Sequence, residues 1–289
     1  MVKSLEKNNI SKLLREGILY LQKKKVAEAF LNCEWILANV LGMERLSLFV
    51  NSGAQVNRID TNKFKKLLAL KAEGMPISYI FKEHNFMGLS LFINKGALIP
   101  RSETEELVEL VLKYAQKIKK KKIKILDFGT GSGCIALALA DSLENCQILA
   151  VDKSKLALKC AEKNIKKFAL EKKIKLLCAS KISAISEKFD LIVSNPPYIP
   201  SGIIKNLDTE VQFEPKMALD GGIDGLKIVK EIIKEAPKIL NSAGRVFFEI
   251  EENQSEILPS AVNKEIYSEI NFHNDYNSKR RFMELVLKT

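Results

Sequence analysis

Residues 125–140 read ILDFGTGSGCIALALA. An apolar run ends at Asp127, glycines follow at alternate positions (Gly129, Gly131 and Gly133), and a second apolar run opens at Cys134. Glycine lets the main chain turn sharply where a strand ends, and lets a ligand lie against bare backbone beside a helix N-terminus. A strand, a glycine turn and a helix in that order form the first half of a βαβ unit. A dinucleotide fingerprint would read GxGxxG, but here the spacing is GxGxG with Cys at 134, which favours a nucleoside ligand without a pyrophosphate.

Outward from this stretch the same texture repeats. Strand-like runs occupy 123–129, 147–152, 174–179, 189–195 and 244–250, separated by helical runs such as CIALALADSL, SKLALKCAEKNIKKFAL and GLKIVKEIIKEAPKIL. Apolar strands alternating with amphipathic helices predict buried parallel strands with crossover helices, a doubly wound α/β sheet. YSEINF and FMELVL near the end have no long helix between them and predict an antiparallel hairpin that finishes the sheet. Pro237 is awkward inside the last helix. The basic run QKIKKKKIK (116–124) reads as a solvated helix end leading into the first strand.

Residues 1–75 read as helices alone. ISKLLREGILYLQ, AEAFLNCEWILANVLG and TNKFKKLLALKAEG carry apolar residues at three-and-four spacing, so a small bundle is expected. Asp60 and Thr61 are candidate caps, Gly42, Gly53 and Gly74 candidate stops, and Phe30 and Trp35 candidate core residues. Residues 76–100 turn to proline, aromatic and β-branched residues, with Gly88 between two strand-like runs, which predicts a β-hairpin linker. The expected division is therefore a helical domain (1–75), a hairpin (76–100) and an α/β domain (101–289).

Composition narrows the function classes. The chain has 289 residues, with 46 Lys and Arg against 35 Asp and Glu, a formal charge of +11. That balance suits a polyanionic partner, but the lysines are spread along the whole chain and read first as solubility. Cys33, Cys134, Cys146, Cys160 and Cys178 form no CxxC pair and only His84 and His273 are present, so no metal site is expected. MVKSLEKNNISKLL has no apolar h-region and no stretch approaches 18 apolar residues. The expectation is a reduced, cytoplasmic protein without membrane contact.

Two further motifs complete a site at the carboxyl edge of the sheet. Asp152 ends the second strand, where a carboxylate can accept ribose hydroxyls. Capping of the helix near Ser154 is the simpler alternative for it. FDLIVSNPPYI ends the fourth strand with Asn195, Pro196, Pro197 and Tyr198; alone that tetrapeptide reads equally as a turn.

In this order, DFGTGSG, AVD and SNPPYI resemble the Rossmann-like methyltransferases that use S-adenosylmethionine and alkylate planar nitrogens. PISYIFKEHNFMGLSLFINKGALIPRSETEELVE, FEPKMALDGGIDGLKIVKEI and FFEIEENQ resemble the flanking signatures of the N(5)-glutamine methyltransferases of peptide chain release factors. The resemblance implies methylation of the glutamine in the Gly-Gly-Gln motif of class-1 release factors, with the helical domain docking the substrate and no direct nucleic-acid binding required. It implies a cofactor site of Gly129, Thr130, Gly131, Ser132, Gly133, Asp152 and Asn195. It also implies that Asn195 Oδ1 and the Pro196 carbonyl accept the two N–H groups of the substrate amide, with Pro197 stiffening the turn and Tyr198 against the amide face. Where the family often has an acidic residue near adenine this chain has Ser180 and Lys181, and Lys181 is carried as the neighbour there. Ser102 replaces a common proline and Glu251 a common glycine. Arg101, Glu103 and Glu105 read as structural before catalytic. The alternative is a nucleic-acid adenine N6-methyltransferase, since an exocyclic amine poses the same geometric problem; a non-catalytic binding protein is the third.

Overall fold

The computed structural model describes residues 8–289. Residues 1–7, part of the stretch on which the absence of an h-region was read, lie outside the described residues. The described chain divides into two compact units, one running to Lys82 and including Asp208–Phe213, the other comprising Glu83–Leu207 and Glu214–Thr289. The excursion 208–213 thus groups with the helical unit and not with the α/β sequence on either side of it.

In the first unit α1 (Ile10–Lys23), α2 (Ala29–Leu41) and α3 (Arg58–Ala72) enclose a core of Leu13, Leu21, Cys33, Ile36, Leu37 and Phe64. Gly17 lets them approach. A Cβ there would stand 2.7 Å from Cys33 Sγ and 2.8 Å from the Phe64 ring. Two expectations are corrected. Phe30 and Trp35 are not core: α2 turns Cys33, Ile36 and Leu37 inward, leaving Phe30 54% and Trp35 40% exposed, with Phe30 stacked on Phe49. The cap of α3 is Asn57, whose Oδ1 accepts from Asp60 N at 2.9 Å, so the helix starts before Asp60 and Thr61. Lys71, buried on α3, pairs with Glu210 at 2.5 Å.

Ile77–Phe81, at the start of the stretch expected to form the hairpin linker, forms a short helix. The hairpin follows as β1 (Glu83–Phe86) and β2 (Leu89–Phe92), paired antiparallel. Met87 and Gly88 both have positive φ between them, the conformation that matches the twist of the flanking strands.

The second unit continues with α4 (Ser102–Ala115), β3 (Ile123–Phe128), α5 (Cys134–Ser142), β4 (Cys146–Asp152), α6 (Lys155–Lys167), β5 (Ile174–Cys178), β6 (Phe189–Ser194), α7 (Lys227–Ile239), β7 (Leu240–Glu249), β8 (Tyr267–Asn274) and β9 (Arg280–Leu287). Its sheet runs β8-β9-β7-β6-β3-β4-β5. Strands β7, β6, β3, β4 and β5 are parallel, and β9 and β8 add antiparallel at the β7 edge. The order reverses at β3, so the ends of β3, β4 and β6 open onto one crevice. The terminal hairpin is as expected. Pro237 lies within α7 and cannot donate to the Ile233 carbonyl, and the Tyr267 hydroxyl donates to that carbonyl at 2.8 Å instead. No helix among the described residues is long and apolar enough to cross a membrane.

Candidate functional site

At the end of β3 the chain makes three left-handed turns in alternation: Gly129 (φ +84°), Gly131 (φ +57°) and Gly133 (φ +84°). They do different work. A Cβ on Gly129 or Gly131 would meet only atoms at 3.9–4.0 Å, whereas one on Gly133 would come within 3.2 Å of the Ala161 Cβ. Gly129 and Gly131 therefore face a cleft, and Gly133 lets α5 start against α6. Thr130 and Ser132 are buried and, like Gly133, are not among the residues that line the cleft. The Thr130 hydroxyl donates to Asp127 Oδ2 at 2.6 Å, and Ala136 N donates to the same oxygen at 3.2 Å. Burial pushes the Asp127 carboxyl up to about 7 against these bonds.

Asp152 ends β4 on the cleft wall. Its Oδ2 accepts from Gly131 N at 2.9 Å and its Oδ1 from Ser154 N at 2.8 Å. Two backbone donors thus orient the carboxylate, and each oxygen keeps a lone pair for a ligand. Capping of α6 falls to Ser154, whose Oγ accepts from Ala157 N. Beyond β5, Ala179 and Ser180 line the cleft, but Lys181 is exposed and does not.

Asn195, Pro196 and Pro197 line the opposite wall, at the end of β6. Ser194 Oγ donates to the Phe128 carbonyl at 2.6 Å and ties β6 to β3 at this point. Asn195 Nδ2 donates to Thr104 Oγ1 at 2.9 Å, and Thr104 Oγ1 donates to Glu249 Oε2 at 2.6 Å. Among the described residues nothing donates to Asn195 Oδ1. Tyr198 does not line the cleft; its hydroxyl reaches Glu249 Oε1 at 3.5 Å, and burial holds it above its ordinary pKa. Burial likewise pushes Glu249 up to about 7.

The sequence reading assigned no roles to Glu214, Gly221, Gly225 and Gln254, which buttress this wall. Gly225 (φ +73°) passes so close that a Cβ would stand 2.2 Å from the Tyr198 carbonyl oxygen, and a Cβ on Gly221 would stand 2.6 Å from that of Pro197. Gln254 Nε2 donates to the carbonyls of Tyr198 and Gly225 at 3.3 and 3.2 Å. Glu214, buried, accepts from Ile99 N at 3.0 Å and pairs with Arg101. This fastens the Gly96–Leu98 wall of the cleft to the Pro215–Ala218 wall. Glu105 accepts from Met87 N. Arg101 and Glu105 are scaffolding. Ser102 stands at the first position of α4, where proline is also favoured, and the helix begins there without it. The quoted signatures included these segments; their contacts required the fold.

An open strand-end crevice with a glycine turn, an oriented carboxylate and apolar walls of Phe128, Val151 and Ile228 fits a nucleoside-bearing cofactor such as S-adenosylmethionine. Residues 12–81 match the PrmC N-terminal domain and residues 106–211 the Methyltransferase small domain. A release factor glutamine methyltransferase of Clostridium botulinum is 35% identical over 94% of this chain and 97% of its own length. One of Geobacter sulfurreducens is 38% identical over 82% of each. Among solved structures, the hMettl16 catalytic domain in complex with a MAT2A 3′UTR hairpin superposes with TM-score 0.56 at 16% identity, covering 82% of this chain and 84% of that one. A Pyrococcus furiosus methyltransferase superposes with TM-score 0.51 at 16% identity, over 79% of this chain and 100% of that one. At such identity the structural likeness concerns the fold alone.

Proposed function

Since the chain belongs to the release factor glutamine methyltransferases, S-adenosylmethionine-dependent enzymes that methylate a glutamine of release factors, we propose that its target is the glutamine of the Gly-Gly-Gln motif in class-1 release factors, held by the Asn195–Tyr198 tetrapeptide. The observation that carries this reading is the Asn195 side chain on the cleft wall, whose Nδ2 is taken by Thr104 while nothing among the described residues donates to its Oδ1.

An amide nitrogen is a poor nucleophile because its lone pair is delocalised into the carbonyl, so orientation contributes more than a strong base. Bound S-adenosylmethionine supplies an electrophilic methyl on a sulfonium. Gly129 and Gly131 offer bare backbone to it, and Asp152 accepts its ribose hydroxyls. Asn195 Oδ1 and the Pro196 carbonyl accept the two N–H groups of the glutamine amide, fixing the face from which its nitrogen approaches. Pro196 has no N–H to compete, and Pro197 restricts the same turn. Tyr198, expected against the amide face, does not line the cleft; its hydroxyl stays with Glu249 and it supports the turn from behind. Thr130, Ser132 and Gly133 shape the turn from behind. Lys181 has no part in this reading, being exposed and away from the cleft.

The helical unit docks the body of the release factor. Phe30, Leu46, Phe49 and Val50 are exposed on that unit by 54, 73, 47 and 84%, an apolar set with no role in the bundle core. The enzyme acts in the cytoplasm and needs no nucleic acid. The test is transfer of labelled methyl to a folded release factor, to its Gln-to-Ala variant and to nucleic acid. Label on the first alone is expected; label on nucleic acid alone would favour the adenine reading and overturn this one.

A further inference from the structure

An asparagine amide has two chemically opposite ends of nearly the same shape, and only the oxygen end is of use to a substrate N–H. What selects the end that faces the cleft is visible behind Asn195. Its Nδ2 donates to Thr104 Oγ1 at 2.9 Å, and Thr104 lies 2.6 Å from Glu249 Oε2. Thr104 is 2% and Glu249 1% exposed, so water does not supply alternative partners. A hydroxyl has one proton to give and lone pairs with which to accept. An ionised carboxylate can only accept, so it claims the single proton of Thr104. The threonine oxygen can then face Asn195 only as an acceptor, and the amide must turn its NH2 inward and its oxygen out.

Resting on the reading of Asn195 as acceptor for the substrate amide, we infer that Thr104 and Glu249 are positioning residues that set the polarity of the Asn195 amide through one directed hydroxyl proton. They come from the first turn of α4 and the last residue of β7, far apart in sequence from β6, and neither lines the cleft. Their effect on transfer passes through Asn195.

The device has a built-in acid limit. Burial pushes Glu249 up to about 7, with Glu103 on α4 acting in the same direction and the hydrogen bonds from Thr104 and Tyr198 and the charge of Arg281 on β9 opposing. Cys134, at the start of α5, also faces it. Once protonated, Glu249 can donate to Thr104, which then frees the threonine proton for Asn195 Oδ1, and the amide no longer has one preferred end.

The experiment compares full-length wild type, Asn195→Ala, Thr104→Val, Thr104→Ser and Glu249→Gln for methyl transfer to a folded release factor. S-adenosylmethionine Kd by calorimetry and Tm are measured for each. Thr104→Val keeps the shape and removes the proton; kcat is expected to fall by about 100-fold, the scale on which misplacement of reacting groups acts, with Kd and release-factor KM little changed. Thr104→Ser is expected to restore it. Wild-type kcat is expected to decline as pH falls below about 7, and Glu249→Gln, which cannot ionise, is expected to lose that limb. Wild-type kcat in Thr104→Val, a Thr104→Ser variant as slow as Thr104→Val, or an unchanged acid limb in Glu249→Gln would each overturn the inference while leaving the Asn195 reading intact. Full transfer by Asn195→Ala would instead sink the reading of Asn195 itself, and the inference with it.

Discussion

At the scale of single residues the site is a set of oriented carboxylates. Asp152 is held by Gly131 N and Ser154 N, so Asp152→Asn both removes the charge and turns an N–H2 toward one of those donors. Hydrogen bonds to a charged acceptor contribute roughly 1.5–3 kcal/mol, and calorimetry of the variant is expected to show S-adenosylmethionine Kd raised by about 10- to 100-fold. Asp127 gives a stability prediction. Its folded pKa, about 7, lies above the ordinary 3.8 because the carboxyl is buried, so the folded state binds its proton more tightly than the unfolded chain does. The stabilisation from that proton is complete below the ordinary value and is lost as pH rises through the folded one. Asp127→Asn keeps an acceptor for Thr130 and Ala136 and cannot titrate. Urea unfolding is expected to show the wild type losing stability relative to the variant between those two pH values, and parallel curves would contradict the assignment.

At the scale of elements, the tetrapeptide is held by glycines remote from it in sequence. Gly225 has a left-handed backbone and no room for a Cβ beside the Tyr198 carbonyl, and a left-handed conformation costs a non-glycine residue about 1–3 kcal/mol before any clash. Gly225→Ala is expected to lower Tm and abolish transfer. Gly202→Ala, where a Cβ meets nothing within 4 Å, is expected to do neither. Helix α7 gives a second prediction. Tyr267→Phe leaves the Ile233 carbonyl without the donor that Pro237 cannot supply, and a buried unsatisfied acceptor costs about 1–3 kcal/mol. Pro237→Ala restores an N–H at the right spacing, so denaturant unfolding of the double variant is expected to recover part of the loss; equal instability in single and double variants would refute the compensation. The sequence marked Pro237 as awkward, and the answer came from β8, which no local pattern connects to α7.

At the scale of the whole molecule the helical unit is proposed to contribute affinity and the α/β unit chemistry. Phe49→Glu, on an exposed ring, is expected to raise the release-factor KM with S-adenosylmethionine Kd unchanged, measured by methyl transfer and calorimetry; an unchanged KM would argue against docking through this face. Much of the architecture was legible beforehand. Short continuous apolar runs mark strands buried on both faces and apolar residues at 3.6 spacing mark the helices between them, so the parallel strands and the closing antiparallel hairpin could be read directly. The glycine turn and the strand ends at Asp152 and Asn195 were legible from the local pattern, and the roles given to them came from the resemblance. Phe30 and Trp35 were misread because apolar spacing shows that a helix has an apolar face, whereas which aromatic turns inward depends on the helices it meets. Lys181 was carried over from the family resemblance, and in the structure it is the adjacent Ser180 that lines the cleft. Sequence alone determined the sheet and the glycine turn at its first strand end, since both are written in local spacing, while the roles proposed for Asp152 and the tetrapeptide came from the family resemblance. Only the tertiary structure decided that Thr104 and Glu249 stand behind Asn195, that Gly225 supports Tyr198, and that Glu214 joins two walls of the cleft. Those contacts join segments that fold together solely because the sheet brings its strand ends to one edge.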